Sequence, residues 1–266
     1  MNIRQHIKPL IPPQLLRILQ RARIERSIER ALSQSYSLGW KSAMTKYPQP
    51  DVCKNLVQGV GYCIGAGVEG HISEFGTMSG GTASVLAQSL AFFTNTYEFA
   101  EDAHKIGTRK LHLFDSFKGL PQSDNSEDAS SPHVLAGVWG EGSCTGISKD
   151  QLLTLCSKYL PKDRILIYDG WFSDTLNTIP PQTKFALIHI DCDLYESTLQ
   201  VLDHCFRNDC LSDGCIIFFD DWNCNHASPK YGERRAWNEC LSKYNIKYSD
   251  GGDYGIMSHK VIIHKD

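Results

Sequence analysis

The chain has 266 residues, of which 41% are apolar and 21% charged, with a formal net charge of -3. That is enough for one large α/β domain with a real core, and it excludes a disordered or collagen-like chain. The weak negative charge excludes a global field that would draw in nucleic acid, and no stretch approaches the roughly 18 uninterrupted apolar residues of a membrane span. The N-terminus shows no apolar run backed by a small-residue cleavage site, so the chain is expected in the cytoplasm with its 10 cysteines reduced. No two of them have CxxC spacing, and Cys210, Cys215, Cys224 and His226 lack the second close ligand pair that a zinc site wants.

Residues 1–60 are predicted to form an N-terminal helical appendage and 61–266 the main domain. Pro12 and Pro13 stand where a helix can begin, and Leu15, Ile18, Leu19, Ile24, Ile28 and Leu32 follow at helical spacing. The opposite face carries Arg17, Arg21, Arg23, Arg26 and Arg30. Such a helix packs on its own domain or a second subunit, or rests on anionic lipid at the inner membrane surface. Glu25 and Glu29 interrupt the basic face and favour packing. Residues 34–70 read as connecting helix and loop.

From residue 71 the pattern alternates. Strands are predicted at 71–75, 111–114, 164–168, 185–190 and 215–219. Helices are predicted from 82, over 151–159, from 197 and over 231–244, with a closing hairpin at 255–264. Strands alternating with helices imply an α/β fold: a mostly parallel sheet with helices on both faces, a three-layer sandwich. Residues 123–146, rich in Ser, Gly, Asp and Pro, are expected to form a long mobile lid carrying His133 and Trp139. His133 is a candidate substrate contact or catalytic group, with a plain surface histidine as the alternative.

The first strand runs into Glu74-Phe75-Gly76-Thr77-Met78-Ser79-Gly80-Gly81-Thr82. Glycine there permits a tight turn and close approach of a ligand, beside the free N–H groups of a helix start. A P-loop would need a lysine after the glycines, and GxGxxG spacing is not met. S-adenosylmethionine (SAM) remains, with Glu74 facing its amino-acid end; a structural βα turn is the alternative. Asp115, closing the second strand, suits the ribose hydroxyls of a nucleoside in either a NAD or a SAM site. The chain has no Tyr-x-x-x-Lys pair, which counts against a nicotinamide-dependent sugar oxidoreductase.

Two later strands end in carboxylates: 185–190 in Asp191-Cys192-Asp193, and 215–219 in Asp220-Asp221. In an open parallel sheet these fall on one rim with Glu74 and Asp115. Carboxylates converging on one point repel, and a hard divalent cation resolves that repulsion, so oxygen-only ligands favour Mg²⁺, Mn²⁺ or Ca²⁺ over zinc at Asp191, Asp220 and Asp221. Asp193 has a competing role as the cap of the following helix.

The stretches EFGTMSGGTA, LHLFDSFKGLP, YDGWFSDTL, HIDCDLYEST and FFDDW occur in this order, and together they resemble the macrocin O-methyltransferase (TylF-type) family over about residues 60–255. The resemblance implies a class I, Rossmann-like SAM-methyltransferase fold, a dimer or larger homo-oligomer, and methylation of a sugar hydroxyl on a glycosylated natural product or polysaccharide. It implies Asp191, Asp220 and Asp221 as metal ligands, and Asp191 also as general base. It implies Glu74, Gly76, Thr77, Asp115 and Ser116 as cofactor contacts, with Asp169, Gly170 and Trp171 alongside. Gly80 and Thr82 complete the candidate cofactor turn. A SAM-binding module that has lost catalysis is the non-enzymatic alternative.

Overall fold

The computed structural model describes residues 49–96 and 108–265, together with Ala22 and Arg26. Apart from those two positions, the predicted basic helix lies outside the described residues. Seven strands form one sheet: β1 (His71–Phe75), β2 (Leu111–Asp115), β3 (Ile165–Asp169), β4 (Phe185–Ile190), β5 (Leu211–Phe219), β6 (Lys247–Tyr254) and β7 (Ser258–His264). Their order is β3-β2-β1-β4-β5-β7-β6. The first five strands are parallel, while β7 runs antiparallel to β5 and to β6. The chain reverses direction across the sheet between β1 and β4, and the carboxyl ends of strands at such a switch point open a crevice.

Helices α1 (Pro50–Gly65) and α2 (Gly81–Thr96) cover one face, with the shorter α5 (Lys149–Cys156) beside them. The other face carries the single turn α6 (Phe172–Thr175) and the helices α7 (Tyr195–Arg207) and α8 (Gly232–Tyr244). Helix α1 spans residue 60, and its Val52, Leu56, Val60 and Cys63 are part of the same core as the sheet. In β5 the side chains alternate, Ile216 and Phe218 facing the first layer and Ile217 and Phe219 the second. All six residues of β4, FALIHI, are buried, as a central parallel strand requires. On the second face Phe75 stacks on Phe114 with ring centroids 4.5 Å apart, a contact worth about 0.5–1.5 kcal/mol beyond its area. Among the described residues no helix is long and apolar enough to cross a membrane.

Two stretches differ from the sequence reading. The closing hairpin begins at Lys247 rather than 255, because β6 is an exposed, polar edge strand without apolar alternation. The 123–146 segment is an anchored strap rather than a bare loop. It contains two single helical turns, α3 (Ser126–Ala129) and α4 (Pro132–Leu135). Its far end joins the glycine turn, where the Ile147 N–H donates to the Met78 carbonyl at 2.9 Å. Helix α5 then starts on a capping box between Ser148 and Gln151.

Candidate active site

The sharp turn after β1 depends on one glycine. Gly76 has φ +88°, and a Cβ built there would lie 1.9 Å from the Asp191 carbonyl oxygen. The missing side chain lets the first strand end press against the fourth, which puts the glycine turn beside the acidic segment. Gly76→Ala is therefore expected to destabilise the fold by about 3 kcal/mol or more, since backbone must move and a left-handed φ must be held by alanine. A urea melt with an unchanged midpoint would refute this.

Asp115 ties the same turn down. Its Oδ2 accepts from the Thr77 N–H at 2.7 Å, the Thr77 hydroxyl at 2.9 Å and the Met78 N–H at 3.1 Å, and its Oδ1 accepts from the Phe117 N–H at 2.7 Å. Four donors occupy the carboxylate, so in this structure it fixes the loop that a ligand would meet. Ser116 closes its own turn by donating to the Gly119 carbonyl at 2.9 Å.

A cavity of about 760 Å³ opens above these strand ends, within the usual range of small-molecule sites. Gly76, Thr77, Asp115 and Ser116 line one part, Gly170 and Trp171 another, and Asp191, Asp193, Asp220 and Asp221 the floor. Four expected cofactor residues stand outside the lining. Glu74 is fully buried, and its Oε1 meets His189 Nδ1 at 2.9 Å. Gly80 faces Ile147, Leu152 and Leu155, Thr82 is buried at the start of α2, and Asp169 pairs with Lys149 at 3.7 Å.

The carboxylates that converge are Asp191, Asp193 and Asp221, each offering an oxygen within 4.8 Å of the others. Asp220 lines the cavity but stands outside that group; its Oδ1 accepts from the Ser258 hydroxyl at 3.2 Å and lies 3.8 Å from His189 Nε2. Asp193 is not the helix cap: Asp128 takes that role, accepting from the Tyr195 N–H at 2.7 Å and the Glu196 N–H at 3.0 Å. Asp193 instead adopts φ +62°, a left-handed turn in which it joins the cluster.

Electrostatics are severe here. Burial first, and then their mutual charges, push the carboxyls of Asp191, Asp193 and Asp221 well above the usual carboxylate range. Asp221 Oδ2 is buried with no hydrogen-bond partner. Glu233 of α8 sits behind, 1% exposed, with Oε2 accepting from the Asp221 N–H at 3.1 Å. His189 carries compensating charge: burial lowers its basicity, but Asp220 and Glu74 outweigh that and raise its pKa to about 10. At 3.8 Å the Asp220 contact is beyond hydrogen-bond reach and acts through charge.

His133, expected over the acceptor, does not line the cavity. Its ring Nδ1 accepts from the Asn225 N–H at 3.1 Å, and its own N–H donates to Asn225 Oδ1 at 3.0 Å. It stacks on Trp139, with centroids 4.5 Å apart. Sequence reading missed Asp128, His189, Asn225 and Glu233. Asp128, His189 and Asn225 act through partners 67, 115 and 92 residues away, and Glu233 through one 12 residues away, so no fixed local spacing marks them.

The sequence model of the macrocin O-methyltransferase (TylF) family matches residues 47–247. The chain belongs to that family. It is 29% identical over 183 residues to the demethyldecarbamoylnovobiocin O-methyltransferase of Streptomyces niveus, a match that spans 67% of this chain and 64% of the relative, just under two thirds of its length. It is 27% identical to the mycinamicin III 3''-O-methyltransferase of Micromonospora griseorubida, over 68% of each chain. The O-methyltransferase NovP superposes with a TM-score of 0.63 at 24% identity, over 80% of this chain and 79% of that one. The calicheamicin methyltransferase CalS11 superposes with a TM-score of 0.57 at 20% identity, over 90% of this chain and 91% of that one. The two superpositions show the class I methyltransferase fold. Family membership sides with the methyltransferase expectation over the nicotinamide one.

Proposed function

We propose that the chain is a SAM-dependent O-methyltransferase that uses a divalent cation, Mg²⁺ or Mn²⁺, and acts on a sugar hydroxyl of a glycosylated small molecule. The observation that carries this reading is the shared cavity: the glycine turn and the carboxylate cluster line one space. The donors fit a hard cation. They are all oxygen, and the buried Asp221 Oδ2 has no partner to satisfy it. Sugar as the acceptor class rests on the sequence resemblance and on the rhamnosyl group printed in the name of a further relative, a tetracenomycin-C 4'-O-methyltransferase of Streptomyces olivaceus that is 26% identical over 68% of this chain.

SAM would supply an electrophilic methyl on a positive sulfur, and Asp191, Asp221 and either Asp193 or Asp220 would hold a divalent cation, whose charge would polarise the acceptor oxygen. In the transfer the acceptor oxygen forms a bond to the methyl carbon, the carbon–sulfur bond breaks, and its electron pair stays on sulfur. The hydroxyl proton needs a base, and Asp191 stands where the glycine turn and the acidic cluster meet. The turn held by Gly76 and Asp115 places one reactant, and the carboxylate floor places the other. Alignment of this kind lowers the barrier as much as acid–base chemistry does.

The test is methyl transfer from radiolabelled SAM to a panel of glycosylated small molecules and free nucleotide sugars, with SAM binding followed by calorimetry. Transfer to a sugar hydroxyl is the expected result. Tight SAM binding with no transfer to any member would support the non-catalytic alternative, and no SAM binding would remove the reading altogether.

A further inference from the structure

The strap, residues 120–147, touches both acidic turns from outside. Asp128, 2% exposed, accepts from the N–H groups of Tyr195 and Glu196, two and three residues after Asp193. Between them Leu194 is buried with Leu120 and Trp139 of the strap in a small apolar cluster. The second attachment grips the other turn. Asn225, also 2% exposed, exchanges its backbone N–H and side-chain Oδ1 with the ring and backbone of His133. One residue earlier, Cys224 Sγ donates to Asp221 Oδ1 at 3.3 Å. A third tie reaches α8, where Glu127 Oε1 pairs with Arg235 Nη2 at 3.2 Å.

What these ties hold is strained. Asp193 has φ +62°, and Asn225, His226 and Ala227 follow one another at φ +54°, +59° and +53°. Non-glycine residues in this region are costly to hold and persist only where surroundings over-determine them. The surroundings that do so here belong largely to the strap. Gly232 completes the fit from α8: a Cβ there would lie 3.3 Å from Asn225 Nδ2 and 3.7 Å from the Asp193 carbonyl.

We infer that the strap is the positioning element of the carboxylate cluster, with Asp128 fixing the Asp193 turn and the His133–Asn225 pair fixing the Asp221 turn. It thereby sets how tightly the cluster grips a divalent cation. Asp128, His133 and Asn225 are positioning residues that act through the carboxylates. The inference rests on the cation reading proposed above. It is separate from lid closure over the acceptor: Gln122, Ser123, Asp124 and Asn125 of the strap line the cavity, whereas the Asp128 carboxylate and the His133–Asn225 pair are engaged with protein.

The experiment measures Mn²⁺ affinity by electron paramagnetic resonance and S-adenosylhomocysteine affinity by calorimetry, on wild-type protein and on Asp128→Ala, Asp128→Asn and His133→Ala. Loss of an outer group that orients a ligand weakens metal binding about 10- to 100-fold. Asp128→Ala and His133→Ala are each expected to lose about tenfold or more in Mn²⁺ affinity while nucleoside affinity stays within about twofold. Asp128→Asn, which keeps one acceptor for the helix N–H groups, falls between wild type and Asp128→Ala. Should Asp128→Ala fail to fold, His133→Ala on the half-buried strap surface carries the test. Wild-type protein that binds no Mn²⁺ overturns the cation reading and this inference with it. Wild type that binds Mn²⁺ beside variants that bind it equally overturns the inference alone. A parallel fall in Mn²⁺ and nucleoside affinity would show a merely structural role and also overturns it.

Discussion

Asp191→Asn is expected to lower the methyl-transfer rate by about 10³-fold or more while leaving SAM affinity within about threefold. Asparagine matches the shape of aspartate, so the close packing of Gly76 against the Asp191 backbone survives, as does the bond from the Asp191 N–H to the Phe75 carbonyl at 2.9 Å. What disappears is one negative charge and the only basic oxygen pair of that side chain. General-base catalysis alone is typically worth about 10²–10⁴-fold, and removal of a charged ligand weakens the hold on a cation as well. The loss is therefore expected on the chemical step rather than on nucleoside binding, because the proposed cofactor side of the cavity is the part lined by Gly76, Thr77 and Asp115. Single-turnover transfer and calorimetry separate the two. A rate within tenfold of wild type would remove Asp191 from the mechanism.

The strands that frame this chemistry were legible because burial imposes a pattern. CIIFF is a continuous apolar run and FALIHI is one interrupted only by His189, and both prove to be central strands that end at the cavity. The glycine turn was legible because only glycine tolerates the Asp191 carbonyl at its shoulder. The edge strand β6 was not, since solvent on its outer side leaves KYSDGGDY free of alternation. Nor could spacing tell which of Asp193 and Asp220 joins Asp191 and Asp221. That choice is made by groups far away in the chain: His189 and Ser258 draw Asp220 aside, and Asp128 frees Asp193 by capping the helix in its place. Capping aspartates normally lie next to their helix, so a cap from 67 residues upstream leaves no local trace. The strap looked mobile for the same reason. Its composition suits a loop, while its anchors, Asn225 and the start of α7, are supplied by other elements.

Stripping divalent cations with EDTA is expected to cut methyl transfer by about 100-fold or more, with Mg²⁺ or Mn²⁺ restoring it. The argument is electrostatic. Asp191, Asp193 and Asp221 meet within 4.8 Å in a half-buried setting, where like charges interact more strongly than in water. Without a cation the cluster lowers its energy by holding protons, which is why burial and neighbouring charge push these carboxyls up. The sign follows for stability. A carboxyl whose pKa is raised in the folded state stabilises the fold below its ordinary carboxylate pKa, and that contribution is lost as pH rises through the raised value. The cation-free protein therefore carries its largest penalty from this cluster at neutral and higher pH. Protons and cation compete for the same oxygens, so cation affinity rises with pH. The stabilisation that saturating Mg²⁺ confers in a thermal melt is accordingly expected to grow between about pH 5 and pH 8. It should shrink toward zero at the acid end, where the cluster is already neutral. Methyl transfer that survives thorough chelation, together with a melting temperature indifferent to Mg²⁺ at every pH, would show that the three carboxylates serve the fold and not a cation.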